Sequence, residues 1–246
     1  MAGPAEHDGV DIRLLADPAE LAAVNTLFQQ IWGTTEPVVL LDLMRAVAYA
    51  GGYVAGAYDT TPAGAGHLVG ASFGFLADHR GERALHSHVT GILPGLQHSG
   101  LGRALKEHQR EWAVARGIPW ITWTFDPLVR RNAWFNIGVL GAEVAEYVVV
   151  FYGTMRDSVN SGTPSDRLVV AWRTGAPAAA PRQPAPSATR VEVATPDDIV
   201  VLRRIDPGAA DDWRMRLRTE LGDPLAAGAR VVDFTRDGNY VLDVPA

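Results

Sequence analysis

Two short patterns in this chain carry residue types that could do chemistry. The first is "LPGLQHSGLGRAL", residues 93–105, where Gln97 precedes Gly100 and Gly102 at the spacing Q-x-x-G-x-G and Arg103 follows. It lies between a strand-like run and the opening of a helix. Backbone N–H groups at a helix start have no intrahelical acceptor and sit at the positive end of the helix dipole, an arrangement that binds phosphate. Glycine lets the anion approach the main chain with no Cβ in the way. The amides of His98, Ser99, Gly100, Leu101, Gly102 and Arg103 therefore have the ingredients of a pyrophosphate cradle. A plain strand-to-helix turn accounts for the same glycines. A dinucleotide-binding turn would need a third glycine where Leu105 stands, followed by a parallel βαβ unit.

The second pattern is "LHSHVTGI", with His86 and His88 on the strand that feeds the turn. Residues i and i+2 of a strand share a face. Histidine titrates near neutrality, so the pair could take a proton from an alkylammonium, directly or through water. The same pair could be polar lining of a half-exposed strand. Two histidines could also begin a metal site, but no third ligand stands at a suitable spacing and no metal is expected. Two further pairs carry chemistry. Asn132 and Asn136 stand four apart on an expected helix and share a face; a cap or a solvated face explains them equally. Asp166 and Arg167 enter a strand, where Arg167 could fork onto a carboxylate and Asp166 could hold an ammonium. A local ion pair is the plainer account.

The elements that must position these residues can be read from apolar spacing. Residues 9–15 form a strand, and "DPAELAAVNTLFQQIW" a helix with Asp17 as N-cap and Pro18 at its first position. Residues 38–49 form a second helix. The runs "YVAGAY", "HLVGASFGFLA" and "ALHSHVTGIL" are meandering strands. Residues 100–116 form a helix, "WITWTF" a strand and residues 129–140 a helix. "EVAEYVVVFYG" and "DRLVVAWRT" are two more strands. This β-α-α-β-β-β-α-β-α-β-β order fills residues 9 to about 173, so the main domain is taken as 1–173. "GAPAAAPRQPAPSAT" then reads as a linker, 174–189. Residues 190–246 offer a strand, a helix carrying Trp213, Leu217 and Leu221, and a hairpin turning at "RDGN". So short a segment is marginal alone. It is expected to pack on the main domain or on a partner chain, a homodimer being one way to cover it.

Composition narrows the classes. Of 246 residues, 47% are hydrophobic and 20% charged, which suits a folded core, and the net charge of -6 speaks against a general nucleic-acid binder. Cysteine is absent, which excludes disulfides and a thiol nucleophile. The N-terminus has no secretory pattern and no apolar run is long enough to span a membrane, so a soluble cytoplasmic protein with no membrane partner is expected.

Element order and glycine turn together resemble the GCN5-related N-acetyltransferase (GNAT) superfamily over residues 9–173. The signature there is Q/R-x-x-G-x-G/A after the fourth strand; here it reads Ile92-Leu93-Pro94, then Gln97 to Gly102. The resemblance implies an α/β (α+β) fold, a mixed central sheet flanked by helices, with a small C-terminal extension. It implies acetyl-CoA or another acyl-CoA as co-substrate, its pyrophosphate on the amides of Gln97 to Arg103. Thr90, Gly91 and Ile92 would pair with the pantetheine arm, and Asn132 and Asn136 would lie near it. The histidine pair is similar to one in serotonin N-acetyltransferase, implicated in proton removal. The tyrosine that many members use to protonate the leaving thiolate is missing: Ile137 stands there. "RRNAWFNIGVLGAEVAEYVVVFYG" with "VNSGTPSDRLVVAW" further resembles a subgroup of predicted acetyltransferases, some linked to acyl transfer onto amino acids, including succinyl transfer onto D-amino acids. The expected activity is N-acyl transfer to a small amine or amino acid. The alternatives are a CoA-binding module with reduced turnover, and an acyl-CoA decarboxylase on the same fold.

Overall fold

The computed structural model describes residues 5–7, 9–96, 99–153, 164–175 and 189–245. The chain forms two compact units, Met1–Thr122 and Trp123–Ala246.

The first unit is built on a mixed sheet. Its strands are β1 (Ala5–His7), β2 (Val10–Leu14), β3 (Tyr53–Asp59), β4 (Leu68–His79), β5 (Glu82–Ile92) and the first half of β6 (Trp120–Phe125). Neighbours from β1 to β5 are antiparallel, and β5 and β6 run parallel. Two helices follow β2: α1 (Pro18–Trp32) and α2 (Leu41–Tyr49). The Asp17 side chain accepts from the amides of Ala19 and Glu20, and Gly33, at φ 60°, closes α1 by bonding back to Gln29. Helix α2 is shorter than its apolar run: Leu40 is still extended, at φ -58° and ψ 134°, so the helix starts at Leu41 rather than at Val38. Leu21, Val24 and Phe28 of α1 and Met44 of α2 pack on Val54, Phe73 and Val89 of the sheet.

Helix α3 (Leu101–Val114) covers the opposite face. Adjacent positions of β4 and β5 show this. A Cβ on Gly70 would meet Leu105 and Leu101 of α3 at 3.3 and 3.5 Å, while one on Gly91 would meet Trp32 and Ile31 of α1 at 2.7 and 2.9 Å. Both glycines are small because a helix passes close over them.

In the second unit, β6 leads to α4 (Arg130–Ala133), which widens into a π-helical turn, Trp134–Val139. Strand β7 (Glu143–Val148) pairs antiparallel with β8 (Arg167–Arg173). The expected strand through Tyr152 therefore ends at Val148; Val150 turns the chain at φ 52°. Then follow β9 (Thr189–Ala194), α5 (Ile199–Ile205), α6 (Pro207–Leu217), a π-helical Arg218–Gly222, α7 (Asp223–Ala226), β10 (Arg230–Phe234) and β11 (Asn239–Val244). The last strands make an antiparallel sheet in the order β10-β11-β9.

This C-terminal segment is pinned to the residues just after Thr122. Arg203 Nη2 meets Asp126 Oδ2 at 2.6 Å with both side chains buried. Tyr240 donates to the Pro127 carbonyl at 2.7 Å. Arg130 pairs with Asp197 at 2.7 Å. Among the described residues no helix is long and apolar enough to cross a membrane.

Candidate active site

The parallel ladder between β5 and β6 has three rungs, ending at His86↔Thr122, six residues before β5 ends at Ile92. From Ser87 onward that edge of β5 has no ladder partner among the described residues, while its other edge stays paired with β4 up to Gly70↔Ile92. Thr90, Gly91 and Ile92 thus line an open backbone edge, which presents unused N–H and C=O groups.

A bulge shapes this edge. Phe73 pairs with Val89 and Gly74 with Ser87, leaving His88 as an extra residue on β5. The bulge resets the alternation of side chains. Ser87 points to α3, where Lys106 and Gln109 bond it; Thr90, three residues on, also reaches the α3 side through Ser72 and Gln109. His86 and His88 share a face, their rings 6.3 Å apart and both against Phe75, at 5.3 and 5.8 Å. His86 Nδ1 lies 3.1 Å from Thr122 Oγ1. Burial, with the nearby His88 and Lys106 charges, pushes His86 down to about 4; burial also lowers His88. Both imidazoles are therefore uncharged at neutral pH.

Beyond β5 the chain turns at Gly95 (φ 93°) and Gly100 (φ 86°) into α3. Gly100 is the N-cap and provides no side-chain cap. Helix geometry leaves the amides of Leu101 and Gly102 without an intrahelical acceptor. Leu101 has only a long 3.4 Å approach to Ser99 Oγ, whose hydroxyl donates to the Leu96 carbonyl. Arg103 is exposed in the first turn, its amide bonded to Gly100 O. Gln97 and His98 lie outside the described residues.

Beneath the β5 edge runs a buried polar network that the sequence reading missed. Lys106 Nζ donates to Ser87 Oγ at 2.8 Å. Gln109 Nε2 donates to Ser87 Oγ at 3.0 Å and to Ser72 Oγ at 2.7 Å, and Ser72 Oγ is 2.7 Å from Thr90 Oγ1. Lys106 is 5% exposed, and burial lowers its ammonium to about 7. A signal was present: of 22 cationic residues in the chain, 21 are Arg and only Lys106 is Lys.

In the second unit the other candidates are put to use within the chain. Asn136 is buried and accepts from the Trp123 indole at 3.1 Å, while Asn132 is partly exposed. Ile137 is buried. Asp166 departs from the expectation of an ammonium holder. Both its oxygens are taken: Arg218 Nε and Nη2 donate at 2.7 and 2.8 Å, Tyr147 Oη at 3.0 Å and the Val150 amide at 3.1 Å. Burial alone would raise this carboxyl, but the Arg218 fork and the other donors outweigh it and hold it below the usual range. Arg167 is buried, donates to the Asp166 main-chain oxygen at 2.8 Å and lies over the Tyr152 ring, 5.6 Å from its centroid. The neighbouring Asp–Arg pair is thus not an ion pair: Asp166 takes Arg218 instead. Among the described residues no three His, Asp or Glu side chains gather as a metal site.

No protein-family model matches the chain, and no curated protein matches it in sequence. Solved structures do match in shape. The ribosomal-protein-S5-alanine acetyltransferase from Vibrio fischeri aligns at a TM-score of 0.54 and 13% identity, over 69% of this chain and 96% of that one. The fold is that of the GNAT acetyltransferases. Arabidopsis thaliana Naa50, in complex with the bisubstrate analogue CoA-Ac-MVNAL, aligns at 0.51 and 20% identity, over 66% of this chain and 97% of that one. The ribosomal-protein-S18-alanine N-acetyltransferase from Escherichia coli aligns at 0.51 and 17% identity, over 68% and 96%. At these identities the likeness is one of fold.

Proposed function

We propose that this GNAT-fold chain is an acyl-CoA-dependent N-acyltransferase, transferring an acetyl or succinyl group to a small amine or amino acid. The observation that carries the reading is the open edge of β5 leading directly into the Gly100 turn. An edge with free N–H and C=O groups suits an amide-bearing arm. A left-handed glycine opening a fourteen-residue helix, whose Leu101 and Gly102 amides have no intrahelical acceptor, suits a pyrophosphate. The residues present therefore fit acyl-CoA: Thr90, Gly91 and Ile92 for the arm, Ser99 to Arg103 for the phosphates. The bound co-substrate supplies an acyl group already activated as a thioester.

The chain's own residues then have two tasks. One is to orient the amine; the uncharged imidazoles of His86 and His88 can accept hydrogen bonds from it or from an intervening water. The other is to receive its proton. For an acceptor or acyl group carrying a carboxylate, Arg167 is the proposed partner, since a buried carboxylate needs a cation.

Calorimetry of CoA binding tests the cradle. Gly100 at φ 86° would be strained by any side chain, so Gly102, inside the first helical turn, is the cleaner site. Folded Gly102→Val should lose at least tenfold in CoA affinity; unchanged affinity would remove the cradle.

A further inference from the structure

We propose that Phe75 selects the acceptor: its exposed ring, set beside both imidazoles, takes the apolar group of an amine whose nitrogen bonds to His86 or His88. The acceptor class this implies is a small primary amine or amino acid carrying a branched aliphatic or aromatic group. The inference rests on the acyltransferase reading and deepens it.

The first support is placement. Phe73 and Phe75 stand two apart on β4 and share a sheet face, the one on which α1 and α2 pack. Phe73 is buried in that core, at 1% exposure, whereas Phe75 is 36% exposed. Burial therefore gives out between the two rings, which lie 6.2 Å apart. His86 and His88 belong to the same face, away from the α3 side to which Ser87 points. Phe75 stands directly across the ladder from His86, with ring centroids 5.3 Å apart.

The second support is the bulge. In a regular ladder His88 would stand opposite Phe73. Val89 takes that rung instead, and His88 is left between rungs, its ring 5.8 Å from Phe75 and 6.1 Å from Phe73. One phenyl ring thus adjoins both imidazoles. An acceptor nitrogen bonded to either of them has its carbon substituent within reach of Phe75.

The third support is the chemistry of this surface. Thr122 Oγ1 engages His86 Nδ1 at 3.1 Å, which leaves Nε2 of that ring for the amine. Burial keeps both half-buried imidazoles uncharged at neutral pH. Phe75, His86 and His88, with Phe73 behind them, make a neutral surface of ring faces and edges. Covering it with an apolar group removes apolar area from water on both sides. A charged substituent laid against it would shed water without gaining a counter-charge.

Two pairs of acceptors of like basicity isolate the effect: ethylamine against isopentylamine, and alanine against leucine. Thiol release from acetyl- and succinyl-CoA gives kcat/KM for each. In wild type the larger member of at least one pair should be favoured about ten- to a hundredfold. Phe75→Ala should erase most of that ratio, and Phe75→Leu, which keeps an apolar side chain, should retain most of it. A wild type that favours the smaller member of both pairs, or a ratio unchanged in Phe75→Ala, would overturn the proposal. The second measurement needs no turnover. Protein carrying carbon-13 labelled histidine, its signals assigned with His86→Gln and His88→Gln, is titrated with isopentylamine at constant pH. The His86 and His88 signals should move in wild type and stay in place in Phe75→Ala, whose unchanged CoA affinity shows that it is folded. Signals that stay in place in wild type, or that move equally in the variant, would overturn the proposal. Thiol release with none of the amines would sink the acyltransferase reading; the contact between Phe75 and the apolar amine would then stand or fall on the histidine signals alone.

Discussion

At the residue scale, burial decides which groups are charged near neutrality. The histidine pair was legible in the sequence because strand alternation puts i and i+2 on one face. Its electrostatics were not, because the drop in His86 comes from burial that only the packed sheet creates. Replacing both histidines with Gln keeps hydrogen-bonding capacity but removes the imidazoles. If the pair orients the amine, kcat/KM should fall; wild-type kcat/KM in the double variant would remove the histidines from the site. Lys106 also makes a stability prediction. Its folded-state value, about 7, lies below the ordinary lysine value of 10.5, so between these the unfolded chain binds more protons. Stability should rise with pH across that window, and the cost of burying the ammonium is greatest below it. Lys106→Met should therefore raise the melting temperature more at about pH 6 than at about pH 10. Equal shifts at the two pH values would mean that Lys106 is not held down by burial.

At the element scale, most of the main framework could be read from apolar spacing and punctuation. Asp17 and Pro18 start α1, and the paired glycines after Tyr49 follow α2 closely. What could not be read was the bulge at His88. A bulge depends on the register between β4 and β5, and no local composition marks one. Without it, Ser87 and Thr90 would face opposite sides, and the network from Lys106 to Thr90 would not form. The π-helical turn at Trp134 was likewise hidden, since an apolar helical period fits both kinds of helix. A stability test belongs here. Gly91 is small because Trp32 lies where its Cβ would be, at 2.7 Å. Gly91→Val should lower unfolding free energy by about 1–3 kcal/mol, read from a urea midpoint at constant m. No loss would contradict the seating of α1 on β5.

At the scale of the whole molecule, the sequence divides at a proline-rich stretch, whereas compactness divides the chain at Thr122. The segment after residue 189 shares a unit with β7 and β8. The pairs that tie it down join residues separated by 52 to 113 positions in sequence, such as Arg218–Asp166 and Tyr240–Pro127. No spacing argument reaches so far. Asp126 and Arg203 are both buried, so removing one leaves the other's charge unpaired. Arg203→Ala should destabilise the protein by about 3–5 kcal/mol, with the melting transition falling accordingly. A cost below about 1 kcal/mol, the range of surface pairs, would show that this contact does not hold the segment.

Acyl transfer from a CoA thioester is read most directly as thiol release. Acetyl-, succinyl- and a longer acyl-CoA should each be offered to the purified chain with a panel of D- and L-amino acids, simple alkylamines and short peptides. At least one thioester should be consumed only when an amine is present, with equimolar thiol and N-acyl product. Thioester consumption independent of any amine, or CoA binding with no thiol release across the panel, would contradict acyl transfer.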